Sequence, residues 1–238
     1  MTETPTDGAL PLLLLPGMMC DARLFAPQIA ALAPDRPVTV PDLTGQDTMA
    51  ALAAAVLATA PERFALAGLS MGGIVAMEVI RQAPGRVARL ALLDTNPRAE
   101  LPEVQARRAP QIARARAGQL AEVIRGEMVP NYLAEGTDRP EIRALCLEMA
   151  LDLGADAFIR QSVALRDRPD QQESLRAVAV PTLILCGRED RLCPVERHEL
   201  MHALIPRSRL TIIEGAGHLP TLETPDATTA ALTRWLED

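Results

Sequence analysis

Gly68-Leu69-Ser70-Met71-Gly72-Gly73 lies between the apolar run Phe64-Ala65-Leu66-Ala67 and the helically spaced segment Ile74-Val75-Ala76-Met77-Glu78-Val79-Ile80. That order reads as strand, tight turn, helix, with a serine at the apex of the turn. So sharp a turn strains the serine backbone, and side chains two residues to either side would collide with neighbouring elements. Glycines at 68 and 72 remove the collision. The helix that starts after Ser70 aims its free N–H groups and positive dipole end at the serine. The Gly-x-Ser-x-Gly pentapeptide alone is a weak signal. The strand before it and the helix after it make the stretch a nucleophile elbow.

The chain around the elbow alternates strand and helix. Leu10 to Leu15, closed by Pro16-Gly17, reads as a first buried parallel strand. A helix over Ala22 to Leu32, a short strand from Pro37 to Pro41 and an alanine-rich helix over Met49 to Thr59 lead to the elbow. Val87 to Leu93 is the next buried strand. From Pro97 to Val180 no strand-like run appears, only helical patterns broken by Pro110, Pro130, Gly136, Pro140, Gly154 and Pro169. Alternation resumes with a strand over Val180 to Gly187, a helix over Val195 to Leu204, a strand over Arg209 to Ile213 and a helix from Pro225 to Trp235. The expected fold class is α/β: a doubly wound, mostly parallel sheet flanked by helices, with functional loops at the carboxyl ends of the strands.

Composition narrows the function. The 238 residues suffice for one large domain with an insertion. Formal charge is −7, which argues against nucleic acid as a partner. All basic residues are arginine, a pattern that fits a genomic composition bias. Aromatic residues make up only 2%, so core and pocket must be built from Leu, Ala, Val, Ile and Met. Cys20, Cys146, Cys186 and Cys193 form no C-x-x-C pair and no ligand cluster. The first eight residues carry Glu3 and Asp7 where a secretory leader would be basic, and the apolar run after them is too short to span a membrane. The expected location is cytoplasmic, without membrane attachment.

A serine hydroxyl needs a base, and the base needs an orienter. His218, in Gly217-His218-Leu219-Pro220, follows the last strand; Asp190, in Gly187-Arg188-Glu189-Asp190, follows the strand before it. Ser70, Asp190 and His218 then stand in the order nucleophile, acid, base. Glu189 and Asp94 compete with Asp190 for the acid's role, and Asp94 suits capping or stiffening its loop.

These motifs, with Glu223-Thr224-Pro225 after the histidine, resemble the α/β-hydrolase fold superfamily in its small bacterial esterase form, over about Leu10 to Leu236. The resemblance implies a core of residues 1–96 and 181–238 and a helical cap over residues 97–180. The chain departs from the family in two ways. Nine leading residues leave little room for an opening hairpin, so about six core strands are expected instead of eight. The usual His-Gly after the first strand is here Pro16-Gly17-Met18-Met19, so that loop lacks its customary support. The backbone N–H groups of Met18 and Met71 can still form an oxyanion hole, since such donors need no particular side chain. The implied activity is hydrolysis of a small or medium carboxylic ester through an acyl-enzyme, with no metal or organic cofactor. Thioesters, lactones and carbon–carbon bonds of diketones are alternatives for the same triad, and a non-catalytic binding protein is a remote one. A homodimer is compatible with a short N-terminus that leaves a sheet edge open.

One motif competes. His198-Glu199-Leu200-Met201-His202 is H-E-x-x-H on a helix, a zinc-peptidase pattern for which Glu223 could be the third ligand. Its place in a short connection between acid and base favours a chance match. The arginines Arg107, Arg108, Arg114 and Arg116 suit a solvated helix face better than recognition of an acidic substrate.

Overall fold

The computed structural model describes residues 9–136 and 139–238. The acidic N-terminal residues Glu3 and Asp7 lie outside them. Six parallel strands form one sheet: β1 (Leu12–Leu15), β2 (Val38–Thr39), β3 (Phe64–Leu69), β4 (Val87–Leu93), β5 (Thr182–Gly187) and β6 (Ser208–Ile213). Their spatial order is β2-β1-β3-β4-β5-β6. Every residue of β1, β3 and β5 is buried, which is why these strands read as continuous apolar runs instead of alternating ones. The edge strand β2 is only two residues long because Pro37 and Pro41 bracket it and lack ladder donors.

Helices flank the sheet: α1 (Ala26–Leu32), α2 (Met49–Thr59) and α3 (Met71–Gln82) in the first half. Thr48 starts α2 by accepting the Ala51 N–H. The chain leaves β1 toward β2, then returns to place β3 on the other side of β1. The carboxyl ends of β1 and β3 therefore flank the point where strand order reverses, the usual ligand crevice of such sheets. Ser70 follows β3 and Met18 follows β1, so both stand at that crevice.

Between β4 and β5 the described chain is helical: α4 (Pro102–Arg116), α5 (Leu120–Val123), α6 (Pro140–Arg166) and α7 (Gln172–Arg176). Gly154, with φ of 81°, breaks α6 as its sequence position indicates. Pro110 was expected to interrupt a helix and does not; it sits inside α4, at the cost of one backbone hydrogen bond. After β5 come α8 (Val195–Leu204), then β6, a short α9 (Pro220–Glu223) and α10 (Pro225–Glu237). No helix among the described residues is long and apolar enough to cross a membrane.

Candidate active site

Ser70 sits between β3 and α3 with φ of 55° and ψ of −117°, a strained backbone for a residue with a Cβ. Two close approaches force the turn. A Cβ on Gly68 would overlap the Gly72 carbonyl, and one on Gly72 would overlap the Leu15 carbonyl of β1. The turn is held by neighbours: the Ser70 N–H donates to Leu93 O at 2.9 Å, and Thr95 Oγ1 donates to Ser70 O at 2.7 Å.

The structure brings Ser70, His218 and Asp190 together. Ser70 Oγ and His218 Nε2 are 2.9 Å apart, and His218 Nδ1 lies 2.8 Å from Asp190 Oδ2. Because ionised Asp190 can only accept, Nδ1 carries the proton and Nε2 offers its lone pair to the Ser70 hydroxyl. Asp190 Oδ1 accepts the N–H groups of Leu192 and Cys193. Burial alone would raise this carboxyl, but the His218 ring and those two N–H groups outweigh it and hold it at about 2. Asp190 and His218 are buried, while Ser70 is partly open to a cavity of about 300 Å³.

The histidine's loop is pinned from two sides. The His218 N–H donates to Tyr132 O at 2.7 Å, and the buried Glu223 carboxylate accepts the N–H groups of Gly217, Leu219 and Ala134. Of the competing acids, Glu189 has no bond to the ring. Asp94 is fully buried with φ of 43°; its Oδ1 accepts the Gly187 N–H at 2.9 Å. Burial first, then the neighbouring Asp190, push the Asp94 carboxyl well above its ordinary value. It stiffens the junction between β4 and β5.

Met18 lies in the loop after β1, against the elbow: a Cβ on Gly17 would stand 3.5 Å from Ser70 Cβ. The Met18 N–H has no acceptor among the described residues. Met71 opens α3, whose first N–H groups have no intrahelical partner. Sequence reasoning missed the support of this loop. Gln161 of α6, fully buried, accepts the Met19 N–H at 2.9 Å and donates to Leu43 O at 3.1 Å. No local pattern marks a mid-helix glutamine as a loop brace.

The H-E-x-x-H residues are engaged elsewhere. His198 is buried, with Nε2 accepting the Thr95 N–H at 3.0 Å and Nδ1 3.3 Å from Pro194 O. Burial holds its ring down at about 4, so it stays neutral. His202 is exposed and bonded to Ser208 Oγ, and the Glu223 carboxylate already takes three N–H donors. The pattern is a chance match in which His198 supports Thr95, and through it the elbow. Of the arginines assigned to a solvated face, Arg107 and Arg116 are exposed and Arg114 is half-buried and paired with Glu127; Arg107 borders the cavity, and Arg108 turns inward onto Glu100 and lines it. All four cysteines are buried free thiols.

A parallel α/β sheet with a serine on a strained elbow, a histidine in contact with it and a buried aspartate behind defines a hydrolase scaffold of the nucleophile-elbow class. The chain belongs to the alpha/beta hydrolase family, whose sequence model matches residues 12–232. It is similar to a pimeloyl-[acyl-carrier protein] methyl ester esterase of Xanthomonas oryzae pv. oryzae, at 28% identity over 94% of each chain. Among solved structures it resembles a thermophilic esterase from Thermogutta terrifontis, with a TM-score of 0.89 and 32% identity over 98% of this chain and 91% of that one. An enol-lactonase from Burkholderia xenovorans shares the fold, with a TM-score of 0.87 at 22% identity over 97% and 92% of the two chains.

Proposed function

We propose that this protein is a serine hydrolase of small or medium carboxylic esters, with Ser70 as nucleophile, His218 as base and Asp190 as orienter. The observation that carries the reading is the unbroken hydrogen-bonded relay from Ser70 Oγ through His218 to Asp190. Its support from similarity is that the Xanthomonas and Thermogutta relatives are esterases.

The relay defines the chemistry. As Ser70 Oγ attacks the ester carbonyl, its proton passes to His218 Nε2, and the negative charge gathers on the former carbonyl oxygen. The Met18 and Met71 N–H groups stabilise that oxyanion; such a donor contributes roughly 10²–10³ in kcat. His218 returns the proton to the leaving alcohol as the carbon–oxygen bond breaks, leaving an acyl-serine. Water, deprotonated by the same imidazole, releases the acid and restores Ser70. Asp190 fixes the tautomer and stabilises the imidazolium. The helical segment between β4 and β5 acts as a cap, since residues from Glu100 to Arg168 line the cavity in front of Ser70.

The test is hydrolysis of a p-nitrophenyl ester series, acetate through laurate, by the wild type and by Ser70→Ala, together with fluorophosphonate labelling. Turnover and labelling confined to the wild type are expected. A Ser70→Ala variant with undiminished turnover would overturn the assignment.

A further inference from the structure

The protein carries a net charge of −7, yet the cavity in front of Ser70 is lined by Arg107, Arg108, Arg168 and Arg197. Its acidic lining residues are Glu100 and Glu127. Glu127 is spoken for by Arg114, which lies outside the lining, and by Gln111. Glu100 is shared: Oε2 accepts from Arg108 Nη2 at 2.5 Å and Oε1 lies 2.9 Å from Arg168 Nη2. The three side chains are only 6–12% exposed. Two guanidiniums on one carboxylate leave one positive charge uncompensated. Arg197, half-buried, has no acidic partner among the described residues and adds another. Asp190 is not among the residues lining the cavity; its carboxylate is buried behind His218.

We propose that this pocket selects esters bearing a second, ionised carboxylate, which Arg108, Arg168 and Arg197 bind while the ester carbonyl reaches Ser70. The inference rests on the serine-hydrolase reading and names its substrate class. A buried excess of like charge costs several kcal/mol per ion unless an anion neutralises it, and a guanidinium fork matches a carboxylate with two parallel hydrogen bonds. Burial chiefly pulls Arg168 below its ordinary value, Glu100 opposes it, and the Arg108 and Arg197 guanidiniums add smaller downward contributions. The cluster is also at hand for the chemistry. Arg108 Nη1 lies 4.0 Å from Met18 Sδ, on the loop that abuts Ser70. Arg108, Met18 and Ser70 line one cavity, and half-esters of short dicarboxylic acids are the expected substrates. A purely structural tie between α4 and the segment before α7 would explain Arg108, Glu100 and Arg168, but it gives no reason for an unpaired Arg197 facing the same cavity.

The experiment compares kcat/KM for monomethyl glutarate and methyl pentanoate, followed by base uptake at constant pH. Preference for the half-ester of at least about tenfold is expected, mostly through KM and weakened by salt. The ratio should collapse toward one in Arg197→Gln and in Arg108→Gln; the first is exposed enough to fold if the second is not. Protection provides a reading independent of turnover: glutarate should slow fluorophosphonate labelling of Ser70 at concentrations where pentanamide does not. Methyl pentanoate turned over as well as the half-ester, or no protection by glutarate, would overturn the carboxylate pocket and leave the serine hydrolase standing. Absence of both turnover and labelling would overturn the serine hydrolase, and the pocket's role with it.

Discussion

Gln161 and Met19, 142 positions apart in the chain, meet through a 2.9 Å hydrogen bond from the Met19 N–H to the Gln161 amide oxygen. The same side chain donates to Leu43 O, so one residue of α6 ties the loop after β1 to the loop after β2. The loop after β1 also carries Met18, whose N–H is the proposed oxyanion donor, so its position would set whether that donor meets the oxyanion.

Gln161→Leu should therefore act on stability and on chemistry together. It leaves the Met19 N–H and the Leu43 carbonyl unpaired, each at a cost of about 1–3 kcal/mol if no water replaces the amide. Activity should fall through kcat by roughly tenfold, less than the ~10²–10³ expected when an oxyanion donor is lost outright. KM should stay near the wild-type value, since the loop matters most in the transition state. Steady-state kinetics and urea denaturation check both; a rise in KM alone would contradict the role.

The elbow at Ser70 and the placement of Asp190 and His218 beside it are legible in the sequence because each follows a local rule. Gly68 and Gly72 are forced by backbone overlap, and buried parallel strands appear as unbroken apolar runs. Gln161, Arg168 and Arg197 obey no such rule. Their roles arise where α6, the segment before α7 and α8 close over the sheet, and a glutamine or arginine in a helix looks the same whether it faces water or a loop. His198 illustrates the converse. Its spacing to His202 suggested a metal, but the pattern could not reveal that one imidazole is buried against Thr95 while the other is exposed.

His198 should leave a pH signature. Its ring titrates at about 4 in the folded protein against an ordinary 6.5. A depressed histidine binds fewer protons folded than unfolded, so its contribution is fully present above about 6.5 and is lost as pH falls through 4. The size is about 3 kcal/mol. Relative to His198→Gln, wild-type stability should decline across that window, as read by urea midpoints at pH 7, 5.5 and 4. Parallel curves would mean that His198 is protonated alike in both states.

Asp190→Asn should damage the relay severely, though less than Ser70→Ala, while leaving the fold intact. The amide nitrogen cannot accept the Nδ1 proton, so the imidazole adopts the wrong tautomer, at a cost of about 10⁴ in kcat in another serine hydrolase. Glu189→Gln next door should cost little, because Glu189 makes no bond to the ring. Turnover of one substrate by both variants separates the two acids; a larger loss in Glu189→Gln would reassign the orienter.

Asp94 should show the opposite pH dependence to His198. Its carboxyl is fully buried beside Asp190, and Oδ1 accepts the Gly187 N–H. Burial and the Asp190 charge raise it well above the ordinary 3.8, so it favours the neutral acid. A raised carboxyl binds more protons folded than unfolded; its contribution is intact below about 3.8 and is lost as pH rises through the folded value. Asparagine keeps the acceptor for Gly187, presents a neutral donor toward Asp190 and carries no charge at any pH. The stability of Asp94→Asn relative to wild type should therefore grow from pH 4 to pH 8, at no more than about 1.4 kcal/mol per pH unit. Urea midpoints at pH 4, 6 and 8 measure it. A difference constant across that range would show that Asp94 is ionised equally in the folded and unfolded chains. The carboxylate beside the relay would then be a charge that the site tolerates, and the neutral-acid assignment would fail.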